Sequence, residues 1–206
     1  MSESKDQTLP MTMKQKIFIV FLSIILSAHS AWAKTEKYSF NQEHSSLKGS
    51  ITYSLIGTYQ PEFQEFEGAL NFDEENIKNS SVSMKIKTAS IHSKYPVLDR
   101  IVRSTRLLNA QEYPYITFNS KSIRREKSSY VVSGTVKLRD VTKDFTFVFN
   151  FENPAMEGKK KVLKAKGQWT INRKDFDIIW NEWLDHGGII VGDDINVVWE
   201  IKAFKE

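Results

Sequence analysis

The chain contains no cysteine, which excludes disulfide scaffolds, thiol nucleophiles, redox pairs, sulfur-ligated metals and an acylated anchor. Its four histidines, His29, His44, His92 and His186, are dispersed without ligand-like spacing, so no metal site is expected. Charge of one sign is scarce as well. Twenty-nine basic residues against 25 acidic ones leave +4, with the signs interleaved, and nucleic acid is not an expected partner. There is no phosphate-binding glycine loop, no H-E-x-x-H, no G-x-S-x-G and no acidic calcium loop, and no cofactor is expected. With 40% hydrophobic and 26% charged residues, the 206 residues are too apolar for a disordered chain and fit one domain or at most two. What is plentiful is phenylalanine, of which there are 13.

Long hydrophobic runs are also missing, with one exception near the start. Lys14 and Lys16 precede an apolar stretch, Ile17 to Leu26, and Ala31-Trp32-Ala33 forms an A-x-A cleavage site before Lys34. That run is about half the roughly 20 residues needed to span a bilayer. Residues 1–33 are therefore expected to be an N-terminal extension and secretory signal, cleaved after Ala33. Residues 34–206 are expected to be one exported, soluble domain. This part keeps 11 of the phenylalanines, and it must be held by its core rather than by covalent links.

Most of the domain alternates with period two, the pattern of half-buried strands. Phe145, Phe147, Phe149 and Phe151 share one face, with Thr146, Val148 and Asn150 on the other. Phe66, Gly68, Leu70 and Phe72 repeat the pattern, as do Val82, Met84 and Ile86. So do Ile116 with Phe118, the run Val132, Gly134, Val136, Leu138, and the run Ala165, Gly167, Trp169, Ile171. Ile195 to Ala203 close the chain. A long first strand around Tyr38 to Leu55 brings the count to about eight. Polar or Gly-, Pro- and Asn-bearing turns separate them, at Asp73 to Asn76, Arg124 to Lys127, Asp140 to Thr142 and Asn153 to Gly158. Such short gaps favour antiparallel neighbours.

Ser93 to Gln111 breaks the alternation. Val97, Leu98, Ile101, Val102, Leu107 and Leu108 have helical spacing, with Pro96 suited to open a helix. The expected fold is all-β: an eight-stranded antiparallel up-and-down barrel with a short helical insert at about 94–110. Closure removes the exposed edges that eight open strands would leave. Small barrels either fill with side chains or hold a ligand. Gly68, Gly134, Ala165 and Gly167 opposite so many rings fit interdigitated packing and an open tunnel equally, and periodicity leaves both open.

Chemistry-bearing residues are few. His44 beside Ser45 is not a triad, because strand neighbours point to opposite faces. Asp193-Asp194, Glu74-Glu75 and Asp175 with Asp177 lie beside turns, where solvated carboxylates are the ordinary outcome. Lys159-Lys160-Lys161 reads as a solvated hairpin tip or, alternatively, as a contact for anionic lipid headgroups.

Five stretches, in order along the domain, resemble the YceI-like family of exported lipid-binding barrels. Phe40-Asn41-Gln42-Glu43-His44-Ser45-Ser46-Leu47 is similar to its opening strand, and Tyr113-Pro114-Tyr115-Ile116-Thr117-Phe118-Asn119-Ser120 to its Y-P-x-I-x-F-x-S strand. Gly134 to Lys143 is similar to its G-V-T-K hairpin, with Asp140-Val141-Thr142-Lys143 in place of the last four residues. Arg173-Lys174-Asp175-Phe176-Asp177-Ile178 resembles R-x-D-F-G-I, with Asp177 for the glycine. Trp180-Asn181, Gly187-Gly188 and Val191-Gly192-Asp193 follow in the family's order. The R-D-x-H-L stretch of the family appears as Leu98-Asp99-Arg100-Ile101-Val102, without its histidine.

The resemblance implies a lipocalin-like barrel, a periplasmic location and an interior that holds an isoprenoid or other long-chain lipid. On that footing the expected apolar lining is Phe66, Phe72, Phe118, Phe145, Phe147, Phe149, Trp169 and Trp199. His44 and Arg173 are candidates for polar contacts near a barrel mouth. Trp180 and Trp183 either gate an opening or cap the barrel end. The chain is read as a binding, transport or sequestering protein and not as an enzyme, with no catalytic residue assigned. A transient contact with a membrane surface and a homodimer are compatible with that reading. Two rivals are a hydrolase or isomerase using His44 with a carboxylate, and an envelope interaction module with a solid core.

Overall fold

The computed structural model describes residues 35–152, 154–180 and 191–206. The proposed secretory segment, Trp183, Asn153 and the Gly187-Gly188 pair lie outside the described residues. Thirteen strands follow in chain order: β1 (Glu36–Asn41), β2 (Ser46–Tyr53), β3 (Gly57–Tyr59), β4 (Glu62–Phe63), β5 (Phe66–Phe72), β6 (Ser81–Lys87), β7 (Ile91–His92), β8 (Tyr115–Glu126), β9 (Ser129–Leu138), β10 (Val141–Phe151), β11 (Ala155–Glu157), β12 (Lys160–Asn172) and β13 (Asp194–Lys205). One α-helix, α1 (Pro96–Arg103), and three short 3-10 turns interrupt them.

The short strands are pieces of longer staves. β1 and β2 both pair antiparallel with β13, and β3, β4 and β5 run back along them. β6 and β7 pair in turn with β5 and β4. Sequential hairpins then lead through β8, β9, β10 and β12. An 11-residue ladder from Val162–Phe204 to Asn172–Asp194 joins β12 to β13 and closes the ring. The result is an eight-stave antiparallel barrel, in which β10 and β12 pair over only three residues, from Phe149–Gly167 to Phe151–Ala165. Among the described residues, no helix is long and apolar enough to cross a membrane.

Two breaks in the alternation decide which side chains face inward. Counting by twos from Tyr38 and Phe40 would carry His44 inward. A turn at Gln42–His44 resets the phase instead, so that Leu47 and Tyr53 point into the barrel and His44 stays on the outer surface, against Phe204 at 4.9 Å. A bulge between Ser120 and Ser122 does the same in β8. It lets both Phe118 and Ile123 face in, one on each side of the extra residue.

α1 is shorter than the helical spacing predicts. Pro96 opens it, with its fixed φ and missing N–H at no cost there. Ser104 then adopts an extended conformation, and its Oγ donates to the Ile101 carbonyl. Leu107 and Leu108 therefore fall in the turns that follow, where Asn109 takes a left-handed φ of 45°. They are buried all the same.

Candidate functional site

The inward face is built from rings and aliphatic side chains, and it does not fill. Two cavities remain inside the barrel. The upper one, toward the 93–114 insert, holds about 200 Å³, and the lower one about 110 Å³. Their walls are almost wholly apolar. Both are bounded by Leu47, Met84, Phe118, Phe147 and Trp169, which form a common waist. An apolar cavity of about 150 Å³ is already large enough to stay dry and bind a ring-sized ligand.

Glycine explains how so many rings can leave space. A Cβ on Gly68 would lie 2.1 Å from the Phe40 ring, one on Gly134 2.8 Å from Phe118, and one on Gly167 2.7 Å from Trp199. Each ring reaches against the bare backbone of a neighbouring strand, into the place that a side chain there would take, and so is kept to the wall of the lumen. The ring-and-glycine pattern that alternation left ambiguous therefore does both jobs, packing the wall and leaving a hollow.

The ring cluster is continuous. Phe147 contacts Phe118 (5.6 Å), Phe145 (5.8 Å), Trp169 (4.5 Å) and Trp199 (5.9 Å). Phe149 and Phe151 carry the line down to Tyr130 and Phe72. Of the lining candidates, Phe145 borders the upper cavity, Phe72, Phe149 and Trp199 the lower one, and Phe118, Phe147 and Trp169 the waist. Phe66 is buried in the core opposite Ile86 and borders neither cavity. The indole N–H groups of Trp169 and Trp199 have no hydrogen-bond partner among the described residues.

The upper end is closed by loops and α1. Leu98 and Val102, one turn apart, enter the cavity from α1, and Leu107 and Leu108 follow from the insert. What holds the insert is a buried carboxylate, Asp99, which is 1% exposed. Tyr59 Oη donates to it at 2.7 Å, Ser93 Oγ at 2.6 Å and the Ser93 N–H at 2.8 Å, with His92 Nδ1 at 3.7 Å. Burial alone would push this carboxyl up. The hydrogen bonds from Ser93 and Tyr59 outweigh it and hold Asp99 below its ordinary value, so it is an anion. Burial and the bond to Asp99 raise the Tyr59 hydroxyl, which stays protonated. This network was missed from the sequence, because a lone Asp in a helix reads as solvated. The one available signal was its position within the family-like Leu98-Asp99-Arg100 stretch.

Arg173 also sits at this end and is 4% exposed. Its Nε donates to the Gly192 carbonyl at 3.0 Å, Nη1 to the Ile178 carbonyl at 2.7 Å and Nη2 to Asp193 at 2.7 Å. It borders the upper cavity, yet its polar atoms are spent on pinning residues 176–178 to residues 192–193. Asp193 is held low by Lys174 and by Arg173 itself. Trp180 borders the same cavity, 6.2 Å from Tyr53.

His44 departs from expectation. It is exposed on the outside of the lower half and borders neither cavity, because the turn before Ser45 takes it off the inward face. A catalytic pair that needs His44 in the lumen is not assembled there. The lysine tip is also largely engaged: Lys161 binds Glu36 at 2.9 Å and Glu74 at 3.3 Å, and Lys160 lies over the Phe204 ring. Among the described residues, no three His, Asp or Glu side chains are placed to share a metal ion.

The description "YceI-like domain" matches residues 38–203. Protein YceI of Shigella flexneri is 29% identical over 168 residues, which cover 80% of this chain and 87% of that protein. Among solved structures, BcnA of Burkholderia cenocepacia shares the fold with a TM-score of 0.67 at 21% identity, over 77% of this chain and 95% of that one. A polyisoprenoid binding domain from Saccharophagus degradans, implicated in plant cell wall breakdown, shares it with a TM-score of 0.62 at 12% identity, over 84% of this chain and all of that one.

Proposed function

The chain belongs to the YceI-like domain family, and from that premise we propose that it binds one isoprenoid or similar long-chain lipid inside the barrel and carries or sequesters it in the periplasm. The observation that carries this reading is the pair of apolar cavities meeting at one ring-lined waist, a shape suited to an elongated chain. Among the described residues the lumen offers no assembled acid–base pair, and this supports binding over catalysis. The signal-like segment before Lys34 supports export, and the periplasm is the compartment in which such a carrier would be useful.

The magnitudes say what such a carrier must do. Each CH₂ removed from water is worth roughly 0.8 kcal/mol, so an isoprene unit is worth on the order of 4 kcal/mol. A lipid already in a bilayer gains almost none of this on entering the barrel. Transfer is nearly balanced, and selectivity rests on ring packing and chain ordering. Water is the barrier, and a dry lumen lowers it.

Organic extraction of protein purified without detergent, followed by mass spectrometry, tests the reading. About one long-chain lipid per chain is expected. Repeated lipid-free preparations that also reject an added polyprenol would overturn it.

A further inference from the structure

We propose that the upper end of the barrel is a docking surface for an anionic membrane, with three apolar tips entering the headgroup layer and the basic insert leading. The proposal rests on the carrier reading above and says where such a carrier would meet its lipid.

Three separate elements place an exposed apolar side chain beside one that borders the upper cavity. Leu55, 63% exposed, follows Tyr53 in the turn between β2 and β3. Val97, 63% exposed, precedes Leu98 on α1, and Ile179, 56% exposed, stands between Ile178 and Trp180. A single exposed aliphatic is ordinary; three around one cavity end make a surface. Other large exposed hydrophobics differ in place: Tyr115 opens β8 with Lys85 over its ring, Val148 and Val198 lie mid-strand in β10 and β13, and Met156 lies on the lower hairpin. At the upper end, moreover, helix and loops rather than strands separate the lumen from the surface, so an apolar path leads from tip to cavity.

Charge selects the partner. Lys94, Arg100 and Arg106 are exposed on the insert, and none forms an ion pair among the described residues. Asp99, the one acid of α1, is buried and turned inward, and so leaves the outer face of the helix basic, with Glu112 the one exposed acid of the insert among the described residues. Of the exposed acids of this end, Glu112 lies at the C-terminal end of the insert and accepts from Asn109 Nδ2, outside α1, while Asp140, Asp175, Asp177 and Asp194 belong to the β9–β10 turn, the loop after β12 and the start of β13. The insert therefore faces the anionic surface. Apolar tips with flanking cations fit an interfacial contact that does not span the bilayer.

The test is sedimentation of the protein with phosphatidylcholine vesicles, with and without phosphatidylglycerol. Wild type is expected to bind the anionic vesicles, less so in high salt. A triple variant, Leu55→Asp with Val97→Asp and Ile179→Asp, is expected to bind more than about tenfold more weakly. Arg100→Glu with Arg106→Glu is expected to lose roughly fivefold per cation removed. All these positions are exposed, so thermal unfolding should be unchanged and will certify folding. Extracted lipid is measured in parallel. Variants that lose vesicle binding while still holding lipid would support docking. Variants that bind vesicles like wild type, or a wild type that ignores anionic vesicles, would overturn it whatever the lipid content. Rim-dependent vesicle binding by a protein that holds no lipid would keep the docking surface and remove the carrier reading.

Discussion

At the lower end of the barrel, Glu36 receives Tyr38 Oη at 2.6 Å, Lys205 at 2.7 Å and Lys161 at 2.9 Å, all from strands of the closed sheet. At the upper end, one buried carboxylate on an inserted helix receives Tyr59 and Ser93, and Arg173 ties one loop to another. Both ends are satisfied electrostatically, yet they differ in what must break to open them. Opening the lower end means parting strands of the ring. Opening the upper end means releasing an insert held by a few polar bonds and a patch of aliphatic contact. Local opening is cheapest where few buried contacts are lost, so the upper end is the door and the lower end the floor.

The largest expected effect breaks the door. Asp99→Ala leaves the Tyr59 hydroxyl and two Ser93 donors buried without an acceptor, and should cost about 3 kcal/mol in urea denaturation. Amides of residues 93–113 should lose hydrogen-exchange protection before those of β8 to β10. A nearly neutral Asp99→Ala would show that the insert is held by its leucines instead. Next is the wall between the two cavities. Gly134→Ala puts a methyl 2.4 Å from the Asn119 carbonyl and 2.8 Å from Phe118, and should cost about 2 kcal/mol while pushing that ring into the waist. Ala165→Leu is subtler, because it adds volume only in the lower cavity. Stability should change by less than about 1.5 kcal/mol, while the extracted lipid becomes shorter or scarcer.

The smallest effect concerns the floor. Hydrogen bonds from Lys205, Tyr38 and Lys161 lower the Glu36 carboxyl from 4.5 to about 2. A depressed carboxyl stabilises the fold fully above its unfolded value and loses that contribution as pH falls from about 4.5 toward 2. Asp99 is held low too, so acid should loosen both ends. Glu36→Gln isolates the floor: it should cost about 1 kcal/mol at neutral pH and flatten the loss between pH 4.5 and 2, as read by thermal unfolding across that window.

The barrel was legible because alternation is a direct consequence of strand geometry, and Phe145 to Phe151 share one face as their spacing implies; that this face turns inward comes from the structure. Alternation could not supply phase across irregularities. The turn at Gln42–His44 and the bulge before Ser122 each add residues that flip the count, so that His44 lies outside the lumen and Ile123 faces it. Helical spacing carried past Ser104 for a similar reason, since Leu107 and Leu108 keep a helical interval while lying in turns. Long-range polar partners leave no local trace at all. Asp99 meets Tyr59 from 40 positions away, and Glu36 meets Lys205 from 169. Whether rings and glycines make a core or a hollow depends on where each ring lies, and only the placement of Phe40, Phe118 and Trp199 over their glycines settles that.

The most direct test of the two-cavity lumen is a crystal structure of the protein purified without detergent from the cells that make it. One continuous elongated ligand density is expected from Trp180, between Phe118, Phe147 and Trp169, to Phe151. Rings closed across that waist with no ligand on either side of it would contradict the account.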